Sequence, residues 1–183
     1  NNLCCETRLF PGMAELVDQL ESDGLRWGIV TNKAARFTQP VVQGLGLDRR
    51  ARVVISGDTT PSAHVQREAQ GVDLLVHEAM STELMQLIQE GAHDAKRDKL
   101  EQLMKDILNY HSTPQEAAQI ASKAQVKFLL LNHVAPPLPL PGLVDVFLKG
   151  TADIFKGQIQ VAKDGDVVSL PAGQTAVQTS RRF

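Results

Sequence analysis

Residues 126–133 read Val126-Lys127-Phe128-Leu129-Leu130-Leu131-Asn132-His133, a short apolar run that stops at two polar side chains. A run this short and nearly continuous fits a strand buried on both faces, the pattern of a parallel sheet. Just upstream, Thr113-Pro114-Gln115-Glu116 opens a helix, with Thr at the N-cap, Pro at N1 and Glu at N3. Helix, strand, then a chemistry-bearing residue is the unit from which the rest of the chain can be read. It recurs as Leu74-Leu75-Val76 ending in His77-Glu78, and as Val53-Val54-Ile55 ending in Ser56-Gly57-Asp58-Thr59. Trp27-Gly28-Ile29-Val30-Thr31, with Asn32 after it, is the earliest copy.

Helical patterns fill the gaps. Met13, Leu16, Val17 and Leu20 fall at helical spacing after Pro11-Gly12, and Gly24 stops them. Further helices are expected over about 34–43, 62–70 and 81–109. Gly91 is expected to divide the last of these, since a mid-helix Gly costs about 1 kcal/mol relative to Ala. After His133, four prolines between 136 and 141 make a stiff connection, and a short helix is expected over about 143–155. Asp164-Gly165, between Ile159/Val161 and Val167/Val168/Leu170, is a hairpin signal. Residues 172–183 have no periodicity and read as a flexible tail.

Strands separated by helices predict an α/β fold: a mostly parallel sheet flanked by helices (an αβα sandwich) with a C-terminal β-hairpin, packed as one compact domain. Right-handed crossovers would bring the strand C-terminal ends to one edge, where ligands of open α/β sheets bind. That edge would collect Thr31, Asn32, Asp58, His77, Glu78 and His133.

Composition narrows the function classes. The 183 residues are 43% hydrophobic and 22% charged, which supports a packed core. Nineteen basic residues against 21 acidic ones give a net charge of −2, with no general pull toward nucleic acid or anionic membrane. Aromatics are 4% of the chain, leaving little for stacking on single strands. No apolar run approaches a membrane span, and the polar start Asn1-Asn2 does not read as a signal peptide. The two cysteines, Cys4 and Cys5, are adjacent and build no disulfide framework, which points to a reducing, cytoplasmic setting.

Each candidate residue has two readings. Asp58 is a hard ligand for Zn, Mn or Fe, or a turn and N-cap residue ahead of Thr59-Thr60-Pro61; local sequence alone favours the second. His133 and His77 end strands and could ligate a metal, although a lone His is more often structural. Glu78 could act as ligand, base or orienting partner. His111 precedes the capped helix and could face the same mouth or be satisfied within its loop. His64 and His93 read as ordinary surface residues, and the four Met residues as core filler. No phosphate-cradling Gly-rich loop and no Gly-x-Ser-x-Gly elbow is present.

Two families are resembled. Phe10-Pro11-Gly12, Gly24-Leu25-Arg26-Trp27-Gly28-Ile29-Val30-Thr31-Asn32-Lys33 and Leu45-Gly46-Leu47 are similar to haloacid-dehalogenase phosphatases of the phosphoglycolate-phosphatase kind. That resemblance implies a phosphate contact at Thr31, while the family's Asp-x-Asp nucleophile has no counterpart here. Ile55-Ser56-Gly57-Asp58-Thr59, Asp73-Leu74-Leu75-Val76-His77-Glu78-Ala79, His111-Ser112-Thr113-Pro114-Gln115-Glu116-Ala117-Ala118 and Leu129-Leu130-Leu131-Asn132-His133 resemble the C-terminal half of metallo-β-lactamase-fold hydrolases, of the ribonuclease Z-like and arylsulfatase-like branches. The second resemblance implies that Asp58 bridges metals, that His133 ligates one, and that His77 and His111 lie near the substrate. The His-x-His-x-Asp-His motif of that family's N-terminal half is not found.

The expected organisation is therefore a chimera. Residues 1–52 would be a dehalogenase-like βα segment, completing a truncated metallo-β-lactamase half over 53–171. The expected function is a metal-dependent hydrolase of phosphodiesters or related activated esters. One or two Zn or Mn ions would be held by Asp58, His77, His111 and His133, with Glu78, His77 and His111 as catalytic groups. A small-molecule phosphoester would be the substrate, with no strong nucleic-acid signature and no membrane, and a homodimer could supply missing ligands. The alternatives are an inactive structural chimera, or a phosphate- or nucleotide-binding module using Thr31 and Asn32.

Overall fold

The computed structural model describes residues 6–25, 27–29, 35–47, 52–171, 174 and 176–183. Helix α1 (Met13–Ser22) precedes β1 (Gly28–Ile29), α2 (Ala35–Gly44), β2 (Val53–Ile55), α3 (Ala63–Glu68) and β3 (Leu74–Met80). Helices α4 (Thr82–Asp94), α5 (Asp98–Ile107) and α6 (Pro114–Lys123) lead to β4 (Phe128–Ala135). Two short helices, α7 (Leu143–Phe147) and α8 (Thr151–Ile154), then lead to β5 (Gln158–Val161), β6 (Asp166–Ser169) and β7 (Gln178–Arg181).

The expected α/β architecture is present. Strands β1 to β5 form one sheet in sequential order, every neighbouring pair parallel. Chain order and spatial order coincide because each crossover returns to the next position along the sheet. At the β1 edge, a Cβ on Gly28 would sit 2.8 Å from the Val53 Cβ and carbonyl oxygen. Only a residue without a side chain fits there.

The main core lies where α6 covers the sheet. Leu75 and Ala79 of β3, Leu129 and Leu131 of β4 and Val161 of β5 pack with Ala117, Ala118, Ile120 and Ala121 of α6. Small alanines on the helix let its axis approach the bulkier strand residues. The capping box of α6 forms as expected: the Thr113 side chain accepts from the Glu116 N–H, and the Glu116 carboxylate accepts from the Thr113 N–H. A second cluster joins Met80 to Met85 and Met104 of the α4–α5 pair. Three of the four methionines are thus core residues, while Met13 is exposed.

Several boundaries differ from the sequence expectation. The long helical stretch divides at Ala95–Arg97, not at Gly91, which stays inside α4. Lys96 adopts φ 53, and the Lys96 and Arg97 amides bond to the His93 and Ala92 carbonyls, so a left-handed stop forms on a lysine. The helix expected over 143–155 is two helices, separated at Gly150 with φ 78. Asp164-Gly165 does turn the chain, but β5 is already paired with β4, so β6 pairs antiparallel with β7 instead. The C-terminal hairpin is therefore β6–β7, and residues 178–181 of the expected tail are one of its strands. No helix among the described residues is long and apolar enough to cross a membrane.

Candidate metal centre

Three separate segments deliver three ligand-type side chains to the C-terminal end of the sheet. Asp58 lies in the loop after β2, His111 between α5 and α6, and His133 within β4. One ligand atom from each lies within 4.8 Å of the others. The His133 Nδ1–H donates to Asp58 Oδ1 at 2.5 Å. Both of those side chains are more than half exposed, at 56% and 58%, so the cluster opens to solvent.

A break in the β3–β4 ladder places His133. Glu78 pairs with Asn132, but Ala79 pairs with Val134, so His133 is an extra residue opposite no partner. Its φ of 42 is the left-handed value of a bulged position. Beyond it the alternation of β4 is reset: Leu131 and Val134 pack on the α6 cluster, while Ala135 meets the methionine cluster. The bulge therefore supplies an outward-pointing imidazole without removing an apolar side chain from either core.

Glu78 holds the mouth together from below. Its carboxylate is 1% exposed. Oε1 accepts from the Ser112 N–H at 2.8 Å and the Thr59 N–H at 3.3 Å. Oε2 accepts from His111 Nδ1–H at 3.1 Å. A carboxylate on Nδ1 fixes the tautomer with the Nε2 lone pair available, the arrangement used by ligating histidines. The Ser112 hydroxyl donates to the Thr59 carbonyl at 2.6 Å, and Ser56 Oγ accepts from the Glu78 N–H. Ser56, Thr59 and Ser112 do not stand out in the sequence, because a hydroxyl or amide that braces a loop carries no local signal.

His77, expected among the ligands, is not part of the cluster. Strand alternation turns successive residues to opposite faces, so His77 shares the α6 face with Leu75 and Ala79 while Glu78 faces the mouth. Its ring is fully buried. Nδ1–H donates to the Glu78 carbonyl at 2.7 Å, and Nε2 has no hydrogen-bond partner. Burial holds its pKa below the ordinary value of 6.5, outweighing the Glu78 carbonyl bond and the charges of Glu78 and Glu116.

Below pH 6.5 the unfolded chain takes up a proton that the folded chain refuses, so folding stability falls with acid. The slope approaches about 1.4 kcal/mol per pH unit until the folded pKa is reached. His77→Gln is expected to flatten this acid limb. Urea midpoints measured between pH 7 and pH 5 check it, and equal slopes in both proteins would count against it.

Thr31, Asn32, Cys4 and Cys5 lie outside the described residues. His64 Nδ1 meets Arg67, and His93 pairs with Glu101, both on exposed helix surface. A fully buried acid, Asp73, is held by Arg52 and Lys127 at the opposite end of the strands, and reads as a brace for the sheet. Tyr110 lies against the mouth, its ring centroid 4.7 Å from that of His111. The His111 ring in turn meets His133 edge-on at 5.7 Å.

Comparison with known proteins finds both resemblances again. Residues 2–79 match the haloacid dehalogenase-like hydrolase family model. The chain is similar to ribonuclease Z of Mycobacterium sp. (strain KMS), 30% identical over 158 residues, covering 83% of this chain and 51% of that protein. It is 32% identical over 142 residues to ribonuclease Z of Mycobacterium tuberculosis (strain ATCC 25177 / H37Ra), covering 76% of this chain and 48% of the relative. The chain thus spans about half the length of the curated relatives it matches. The Mycobacterium sp. match takes in more of the chain than residues 53–183 contain, so it overlaps the dehalogenase-like match. A crystal structure of the metallo-beta-lactamase fold protein YhfI from Bacillus subtilis aligns with 70% of this chain and 39% of that chain, at TM-score 0.42 and 22% identity.

These relatives correct one expectation. Net charge and few aromatics give no strong nucleic-acid signature, and the expected substrate is a small-molecule phosphoester. The relatives are named ribonucleases, and net charge over a whole chain does not report what one strand edge binds.

Proposed function

We propose that this chain is a metal-dependent phosphodiesterase acting on RNA, with Asp58, His111 and His133 holding a divalent cation. The observation that carries the reading is the convergence of those three ligand atoms from three segments, within 4.8 Å, at the C-terminal edge of the sheet. Two imidazoles and one carboxylate suit zinc, and manganese is compatible with the same donors. A bound cation would lower the pKa of water and polarise a phosphoryl oxygen. The similarity to ribonuclease Z supports RNA as the ester cleaved.

The chain's own residues divide the remaining work. Glu78 is the positioning residue: it orients His111 and ties the Thr59 and Ser112 loops together beneath the centre. His111, the least exposed of the three ligands, fixes the inner side of the site, and Asp58 and His133 form its open rim. The cytoplasmic setting expected from the two cysteines belongs to the same proposal.

The test uses the purified full chain, loaded with zinc or manganese and assayed on end-labelled RNA. Cleavage that disappears with a chelator and returns with metal is expected, together with metal retained through gel filtration. Metal-loaded protein that leaves RNA intact would overturn the reading.

A further inference from the structure

Tyr110 is the chain's only tyrosine, and it sits beside the candidate centre. Its side chain is 49% exposed, yet its ring packs against His111 with centroids 4.7 Å apart and planes tilted by 43°. His111 then meets His133 at 75°, edge to face. Three rings therefore run in series along the mouth, from Tyr110 through the little-exposed His111 to His133 at the rim. A tyrosine filling the core would be buried. The residue is about half exposed beside the site, which leaves it accessible to something arriving from solvent.

We propose that Tyr110 is a stacking platform for a nucleobase flanking the scissile phosphodiester of a single-stranded RNA segment. This rests on the RNA reading above and deepens it by naming the strand state and the contact. Bases in single-stranded RNA are unstacked and offer a free π-face, and protein aromatics hold them without regard to base identity. A tyrosine loses little conformational freedom on binding, because it has two side-chain torsions. A scarcity of aromatics across the whole chain is no obstacle when one ring stands next to the reacting position. Tyr110 touches the base in this scheme and takes no part in the bond-breaking step.

The competing role is purely local, with Tyr110 packing on His111 to hold the imidazole. The two roles separate on substrates. Two end-labelled RNAs are compared, one natural and one with abasic nucleotides on both sides of the cleaved bond, using wild type, Tyr110→Phe and Tyr110→Ala. Stacking predicts that wild type and Tyr110→Phe lose about tenfold or more in KM on the abasic RNA. Tyr110→Ala should show that loss already on natural RNA and discriminate no further. A 2-aminopurine placed beside the cleaved bond should be quenched on binding to wild type and not to Tyr110→Ala, a readout independent of turnover. If wild type cleaves RNA and Tyr110→Ala loses equally on both substrates, or loses only in kcat, stacking is overturned while the RNA reading stands. If wild type neither binds nor cleaves either RNA, the RNA reading has failed and the stacking inference falls with it.

Discussion

Asp58→Ala and His133→Ala are expected to lose metal affinity and RNA hydrolysis together, each by about 100-fold or more, while the protein stays folded. Residues that merely orient a ligand are worth about 10- to 100-fold in metal affinity, so removal of a ligand sets the upper end of that range as a floor. The folded state should barely notice. Both side chains are more than half exposed, and their mutual hydrogen bond is open to solvent, worth about 1 kcal/mol or less. His133→Asn adds a control for the backbone: Asn tolerates positive φ, so it keeps the bulge comfortable and removes only the imidazole. Metal content after dialysis and thermal unfolding of the same samples check the two halves of the expectation. Variants that retain wild-type metal would remove both residues from the centre.

Glu78→Ala should do the opposite, damaging the fold first. The carboxylate accepts from two backbone amides and one imidazole in a buried position. Truncation leaves the Ser112 and Thr59 amides without an acceptor, and a buried orphaned donor costs about 1–3 kcal/mol. Roughly 2–5 kcal/mol of stability should go, and His111 loses the partner that fixes its tautomer, weakening metal binding by about 10- to 100-fold. Glu78→Gln should fall between, because an amide keeps one accepting oxygen but turns its NH2 toward groups that also donate. Urea unfolding and metal titration should both rank the proteins wild type, Gln, Ala. An Ala variant as stable as wild type would mean that the two loops are held by something else.

The strands and the site differ in how legible they are in the sequence. Val53–Ile55, Leu74–Val76 and Phe128–Leu131 are apolar runs that read as buried parallel strands, and all three form as parallel strands, although β2 is only half-buried. Thr113 and Glu116 announce their helix start through a purely local motif. Gly91 misleads because a glycine lowers helix stability without forbidding helix, whereas the stop at Lys96 is held by amide bonds back into the last turn of α4. Strand β7, Gln178-Thr179-Ser180-Arg181, has no apolar alternation, so its pairing with β6 cannot be read locally. In the candidate site, Asp58, Glu78, His111 and His133 are visible as polar residues at the ends of strands or ahead of a capped helix. His77 groups with them in sequence because adjacent residues look equivalent there, although the pleat sends them to opposite faces. The bulge at His133 depends on the register between two strands far apart in the chain, which no single segment encodes.

That bulge also makes two kinds of mutation that usually differ, exchange and deletion, behave alike. Exchanging His133 for another residue alters one side chain at the rim and leaves every later position of β4 where it was. Deleting it would restore a regular ladder in which Val134 stays opposite Ala79 and Ala135 opposite Met80, so both keep their faces and the proline connection keeps its start. What either change removes is the imidazole at the rim, so the strand can do without a residue that the candidate centre needs.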